Sequence, residues 1–366
     1  MDIPSSPTLV RQDKVPFLAY PSSHKDEPNR RQCLLFFIPG NPGLIAYYAP
    51  FFRTLRHLLD EMEGQEGCPY AFHIHGRNLL GFEDADHSPA FGTPLAGTKT
   101  EPFSLEDQIL ASCAHLQTIT TSTFPSNRPF DEVILIGHSV GAYISLEIFN
   151  RHHHHSTAAS SALASVPLKS GILLFPTISH IARSSSGQKL DLIRRTPLLD
   201  RSVHHLAKGL VDLFPRWVLG AVVRRVMRFP EHATAATIQF VTSRDGIWQA
   251  LHMGKDEMRT ITEERWEEEM WEIQDAEEEE EEGREWEVEE KGQEGERTKF
   301  FFYFAEKDHW VADECRDEFI EKRRRHEKGR TKVVIDEAGI PHAFCIHHSE
   351  MVAEKVKVWI EDIVGL

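Results

Sequence analysis

A serine set between glycines behind an apolar run is the first feature of this 366-residue chain able to do chemistry. Gly137-His138-Ser139-Val140-Gly141 directly follows Val133-Ile134-Leu135-Ile136, and Ala142, Ile144, Ile148 and Phe149 continue at helical spacing. The pattern reads as buried strand, sharp turn, helix. Such a turn holds the serine in a strained backbone conformation and projects its Oγ above the sheet edge. The flanking glycines stand where neighbouring chains approach too closely for a Cβ. A serine hydroxyl is a poor nucleophile near neutral pH. It needs a histidine to take its proton and a carboxylate to fix that histidine's tautomer.

This arrangement resembles the nucleophile elbow of α/β-hydrolases, in which an acid and then a histidine follow the serine on loops at the carboxyl ends of later strands. Both are found downstream. Phe301-Phe302-Tyr303-Phe304-Ala305 reads as a strand, and Asp308 sits in the turn that leaves it; Glu306, nearer the strand end, is the weaker candidate. Val333-Val334-Ile335 forms the core of the last strand. His342 lies in the loop behind it, ahead of a closing helix over Glu350–Val364. His309 is too close to Asp308 in sequence to partner it, and His347 and His348 lie further toward the helix. A developing oxyanion needs two backbone N–H donors. Val140, after the nucleophile, supplies one; Asn41 in Pro39-Gly40-Asn41-Pro42-Gly43 is the best second donor, since Pro42 has no N–H. Nothing in this chemistry calls for a metal or a cofactor.

The elements that must position these residues alternate. Cys33–Ile38 is a short continuous apolar run, suited to a strand buried on both faces, and Ala71–Ile74, Val133–Ile136, Gly171–Phe175, Phe300–Ala305 and Thr331–Ile335 are further strand candidates. Tyr47–Leu59 has helical spacing, and Ser104 with Asp107 caps a helix running to about Thr120. Alternating strands and helices imply an α/β fold with a mostly parallel sheet and helices on both faces. The gap between Phe175 and Phe300 is too long for one crossover. A helical cap insertion at about 176–254 and an acidic insertion at about 256–298 fill it. Residues 1–31 are polar and proline-spotted and read as a flexible segment without a signal-peptide core. The domain proper spans 32–366.

The formal net charge of −16 belongs to one stretch: Asp256–Thr298 holds 21 acidic against 5 basic residues. Such a stretch self-repels and reads as a disordered surface insertion, with an acidic tether as the functional alternative. The near-neutral remainder gives nucleic-acid binding no support. Five cysteines, odd in number and without metal-type pairing, fit a reducing intracellular setting. No run of 18 apolar residues exists to cross a bilayer. Leu206–Phe229 is amphipathic and bulky, with Arg216, Arg224, Arg225 and Arg228 beside Leu213, Phe214, Trp217 and Val222. It reads either as packed cap helices, broken at Pro215, or as a surface lying in a lipid interface. The tetrapeptide His152–His155 is assigned no role.

Ile38-Pro39-Gly40-Asn41-Pro42-Gly43 with Tyr47-Tyr48 and Phe51-Phe52 resembles the lipid-droplet-associated hydrolase family. Gly137–Tyr143, Leu174–Ile178, Lys307-Asp308-His309-Trp310 and Ile340-Pro341-His342-Ala343-Phe344 fit it as well. The likeness runs from Leu34 to the C-terminus. It departs at the acidic insertion and at Ser184-Ser185-Ser186-Gly187. The resemblance implies an α/β-hydrolase fold, a triad of Ser139, Asp308 and His342, and association with lipid droplets. It further implies hydrolysis of neutral-lipid esters, whether sterol esters or acylglycerols, on the cytosolic face of a droplet or the endoplasmic reticulum. The partners expected are the neutral-lipid ester itself and a droplet monolayer met through about 206–229. Dehalogenases and epoxide hydrolases of the same fold carry an aspartate at the elbow, which Ser139 replaces. The rival reading is a droplet-bound scaffold in lipid storage whose triad is slow.

Overall fold

A computed structural model describes residues 9–12, 15–85, 87–94, 100–122, 128–153, 163–264, 266, 298–324 and 331–366, with residues 9–12, 198, 199, 201 and 324 described through their backbone alone. Eight strands form one sheet: β1 (Leu9–Gln12), β2 (Val15–Tyr20), β3 (Arg31–Ile38), β4 (Tyr70–Arg77), β5 (Glu132–His138), β6 (Leu168–Leu174), β7 (Lys299–Phe304) and β8 (Thr331–Ile335). Their order is β1-β2-β4-β3-β5-β6-β7-β8. Strands β3 to β8 run parallel, and β1 and β2 form an antiparallel edge. The runs from Cys33–Ile38 to Phe300–Ala305 thus occupy buried inner strands, whereas Thr331–Ile335 forms the partly exposed edge strand β8.

Adjacent side chains of β3 show the two layers. Phe37 packs on Phe51 and Phe52 of α1 (Ala49–Glu63), while Phe36 packs against His115 of α2 (Leu105–Thr121). Successive strand residues point to opposite faces, so the two helices lie on opposite sides of the sheet. Strand β7 repeats the pattern. Phe302 and Phe304 meet Phe319 of α9 (Asp313–Arg324), and Phe301 and Tyr303 meet Trp359 of α10 (Ser349–Val364). The capping box at Ser104 is formed, its hydroxyl accepting the Asp107 N–H.

Between β6 and β7 the described residues build five α-helices: α4 (Ser185–Arg195), α5 (Pro197–Asp212), α6 (Arg216–Arg225), α7 (Glu231–Thr242) and α8 (Gly246–Thr260). Pro215 ends the run between α5 and α6 and stands as the N-cap of the latter. Among the described residues no helix is long and apolar enough to cross a membrane.

Two sequence expectations need correction. The segment 1–31 is not a flexible leader throughout. Val15–Tyr20 pairs antiparallel with β4, and Phe17 stacks on His75 with ring centroids 5.1 Å apart. Its apolar residues were masked by Pro16 and by charged neighbours, although Phe17, Leu18 and Tyr20 are buried. The acidic insertion does not begin at Asp256. Asp256 and Glu257 belong to α8, and Trp266 is buried with its Nε1–H donating to Glu147 across 3.1 Å. Counting charge assigned these residues to solvent, whereas their helix packs on the core. The rest of that expectation, 267–297 together with Arg265, lies outside the described residues.

Candidate active site

Ser139 joins β5 to α3 (Val140–His153) in a left-handed backbone conformation, φ 56°. A Cβ on Gly137 would strike the main chain of Gly141 and Ala142, and one on Gly141 would strike the Ile38 and Pro39 carbonyls. The glycines therefore allow the turn to close. The Ser139 N–H donates to the Leu174 carbonyl at 3.0 Å, and the Ser139 carbonyl accepts from the Ala142 N–H at 3.0 Å.

His342 Nε2 lies 2.9 Å from Ser139 Oγ, and its Nδ1 lies 2.7 Å from Asp308 Oδ2. The Asp308 partner dictates that Nδ1 carries the proton, which leaves Nε2 to accept from the serine. Asp308 is held from behind by the Trp310 N–H, 2.8 Å from Oδ1. Burial pulls the Asp308 carboxyl upward. The hydrogen bond and charge of His342, the Trp310 N–H and His309 outweigh that, and hold it below the usual carboxylate range. Glu306 and His347 are exposed and His348 half-buried, with no contact to Ser139. His309 sits beside His342 with ring centroids 5.8 Å apart.

Three residues beyond the expected set shape this geometry. Asp336, at the end of β8, is buried; it accepts the Ile340 N–H at 2.6 Å and the Tyr303 hydroxyl, fixing the loop that carries His342. His138 bonds the His342 carbonyl through Nε2 at 2.9 Å and the Tyr48 hydroxyl through Nδ1 at 2.7 Å. A carbonyl can only accept, so Nε2 bears the His138 proton, and Nδ1 accepts from Tyr48. Tyr48 in turn accepts the Gly40 N–H at 3.1 Å. Burial pushes the His138 imidazole down to about 3, which keeps it uncharged beside His342. In the sequence Tyr48 and His138 stood within the motifs that carry the family resemblance, beside the glycine-rich loop and the elbow, with no role attached to either.

The Gly40–Asn41 loop packs on Ser139; a Cβ on Gly40 would come within 2.9 Å of Ser139 Cβ. Asn41 Nδ2 donates to the Ala250 carbonyl and to Glu257 Oε1, both at 3.0 Å. Among the described residues, the main-chain N–H groups of Asn41 and Val140 engage no protein acceptor. Ser139 opens into a cavity of about 430 Å³ walled by Ile181, Leu190, Ile193, Phe240, Leu251 and Trp310, with Asn41, Thr177, Ser186, Lys189 and Glu257 among its lining polar residues. No grouping of three or more His, Cys, Asp or Glu side chains suited to a metal ion occurs among the described residues.

Elsewhere the helical insertion turns an apolar face outward. Leu213 and Trp217 are 75% exposed, and Leu206, Leu210, Phe214, Val222 and Val226 are exposed beside them. Gly220 and Val223 face inward.

A family model described as lipid-droplet associated hydrolase matches residues 31–345. The chain is 25% identical over 333 residues to a lipid droplet-associated hydrolase of Rattus norvegicus, covering 90% of this chain and 85% of that protein. It is 24% identical over 347 residues to the Gallus gallus protein of the same name, covering 92% and 88%. Its fold matches a peroxisomal α/β-hydrolase of Saccharomyces cerevisiae with a TM-score of 0.57 at 13% identity, covering 96% of this chain and 82% of that one.

Proposed function

The chain belongs to the lipid-droplet-associated hydrolase family, and from that premise we propose that it is a serine hydrolase of neutral-lipid esters working at a droplet surface. One observation carries the reading. A serine with a positive φ, a histidine and a buried carboxylate form one hydrogen-bonded chain at the floor of a largely apolar cavity.

Ser139 Oγ attacks the ester carbonyl while His342 Nε2 takes its proton, and Asp308 steadies the imidazolium that results. The Asn41 and Val140 N–H groups receive the oxyanion. The carbonyl–alkoxy bond then breaks, His342 returns the proton to the leaving alcohol, and the acyl group stays on Ser139. Water repeats the sequence through His342 and releases the acid. The apolar wall suits a sterol or acylglycerol ester, whose bulk is hydrocarbon. The exposed face of α5 and α6 supports a droplet monolayer as the resting surface, with apolar side chains inward and Arg216, Arg224, Arg225 and Arg228 toward head groups.

Purified protein offered emulsified cholesteryl ester, triacylglycerol and a soluble p-nitrophenyl ester tests the proposal. Release of fatty acid from at least one emulsified lipid, abolished by Ser139→Ala, is the expected result. Turnover of the soluble ester alone would confine the protein to small esters.

A further inference from the structure

Glu257 is a carboxyl group buried in the wall of the active-site cavity, on the last turns of α8. Burial of this kind is costly unless the group has a task or a partner. Its partner is Asn41, and among the described residues no cation pairs with it. The two hydrogens of Asn41 Nδ2 are both used, one on Glu257 Oε1 and one on the Ala250 carbonyl, each at 3.0 Å. Both acceptors belong to α8, which is itself fastened to the base of the domain. Asp256 Oδ2 accepts the Leu105 N–H at 2.8 Å, and Gln249 exchanges two bonds of 2.8 Å with the Phe103 main chain. A firmly anchored helix thus grips the side chain of the loop residue whose main-chain N–H is free beside Ser139.

We infer that Glu257 is a positioning residue for ester hydrolysis: with Ala250 it clamps the Asn41 side chain and so aims the Asn41 N–H at the oxyanion. The inference rests on the hydrolase reading and adds the cap helix to the machinery. It also constrains charge. A carboxylate one residue from a developing oxyanion would oppose the transition state, so the clamp must be neutral while it works. Burial supplies this by pushing the Glu257 carboxyl up to about 8, with the Asn41 bond opposing and Asp256 reinforcing it. Charged groups on the elements packed against α8 include Lys189 of α4 at the cavity wall, the Lys255–Asp200 pair that ties α8 to α5, and Arg183 of the 181–183 turn. None of these is a cause of the shift. The sign is then fixed: the neutral form persists below pH about 8, and activity falls as pH rises through that value.

The test compares the full-length wild type with Glu257→Gln and Glu257→Leu, measuring kcat and KM for p-nitrophenyl butyrate from pH 6 to 9.5, with fluorophosphonate titration to count active serines. In the wild type, kcat per active serine should fall roughly tenfold from pH 7 to 9.5. Glu257→Gln, which still accepts from Asn41 but cannot ionise, should lose that alkaline limb while kcat at pH 7 drops about threefold. Glu257→Leu, with no acceptor, should lower kcat by 10- to 100-fold with KM changed less than threefold, below the full loss of an oxyanion donor. An alkaline limb that persists in Glu257→Gln would overturn the inference, as would a Glu257→Leu enzyme with wild-type kcat per active serine. Should the leucine variant fail to fold, the glutamine pH profile decides alone. A wild type whose serine neither titrates nor turns over ester would sink the hydrolase reading, and this inference with it.

Discussion

The Tyr48 hydroxyl donates to His138 Nδ1 across 2.7 Å inside the core. This one bond ties three loops together. Tyr48 holds Gly40, next to Asn41, and His138 adjoins Ser139 and holds the carbonyl of His342. Tyr48→Phe would leave His138 Nδ1 and the Gly40 N–H unpaired in a buried site, a cost of about 1–3 kcal/mol for each group. The expected outcome is a lower melting temperature together with a kcat reduced about tenfold at nearly constant KM. Thermal denaturation and steady-state kinetics check it; an unchanged kcat would make the bond purely structural.

The apolar face offers a second prediction. Leu213, Phe214 and Trp217 are exposed, so changing all three to serine should leave melting temperature and soluble-ester turnover close to wild type. Each side chain inserted into a monolayer contributes roughly 1.5–3 kcal/mol. Their loss should therefore move the protein from droplets to the aqueous fraction in a flotation assay. A triple variant that still floats with droplets would place the contact elsewhere.

The strands and the elbow were legible because they depend on local pattern. Continuous runs such as Leu34–Ile38 have few outcomes besides a doubly buried strand, and Gly137 and Gly141 announce the close approach that the turn requires. Asp308 and His342 were legible because each lies in the loop that follows a strand. Glu257 was not. It sits on a helix face with Met253 and Ile261, a carboxyl at an apolar position, but its net-charge neighbourhood pointed to solvent. The antiparallel edge of β1 and β2 was missed for the opposite reason, since short edge strands interrupted by proline carry little periodicity.

That lesson sharpens an expectation about the acidic segment. Deleting 267–297 and bridging Trp266 to Thr298 with a short Gly-Ser linker should leave the protein soluble and active. Deleting from Asp256 removes the Leu105 partner, Glu257 and the Trp266–Glu147 bond, and should abolish activity or folding. Solubility and turnover of the soluble ester compare the two. Equal behaviour would mean that the end of α8 is dispensable.

Acid should unfold the protein through its interior histidines. Burial pushes His73, His75 and His138 down to about 3 and His115 to about 2, from an ordinary value of 6.5. The folded form therefore excludes protons that the unfolded chain binds, and stability is lost as pH falls from about 6.5 toward 3. Each group costs about 2–3 kcal/mol by pH 4.5. His75 and His115 bond each other at 2.9 Å, so His75→Phe with His115→Leu removes both partners together. Circular dichroism against pH should show the acid midpoint of this double variant shifted downward; an unchanged midpoint would assign acid unfolding to other groups.

The central claim is that His342 and Asp308 activate Ser139 for acyl transfer. Mass-spectrometric mapping of the site modified by a fluorophosphonate reads this directly. Rapid, stoichiometric labelling of the peptide carrying Ser139, slowed by orders of magnitude in Asp308→Asn, is the predicted result. A folded wild type whose Ser139 stays unlabelled, or labels no more slowly in the asparagine variant, would contradict it.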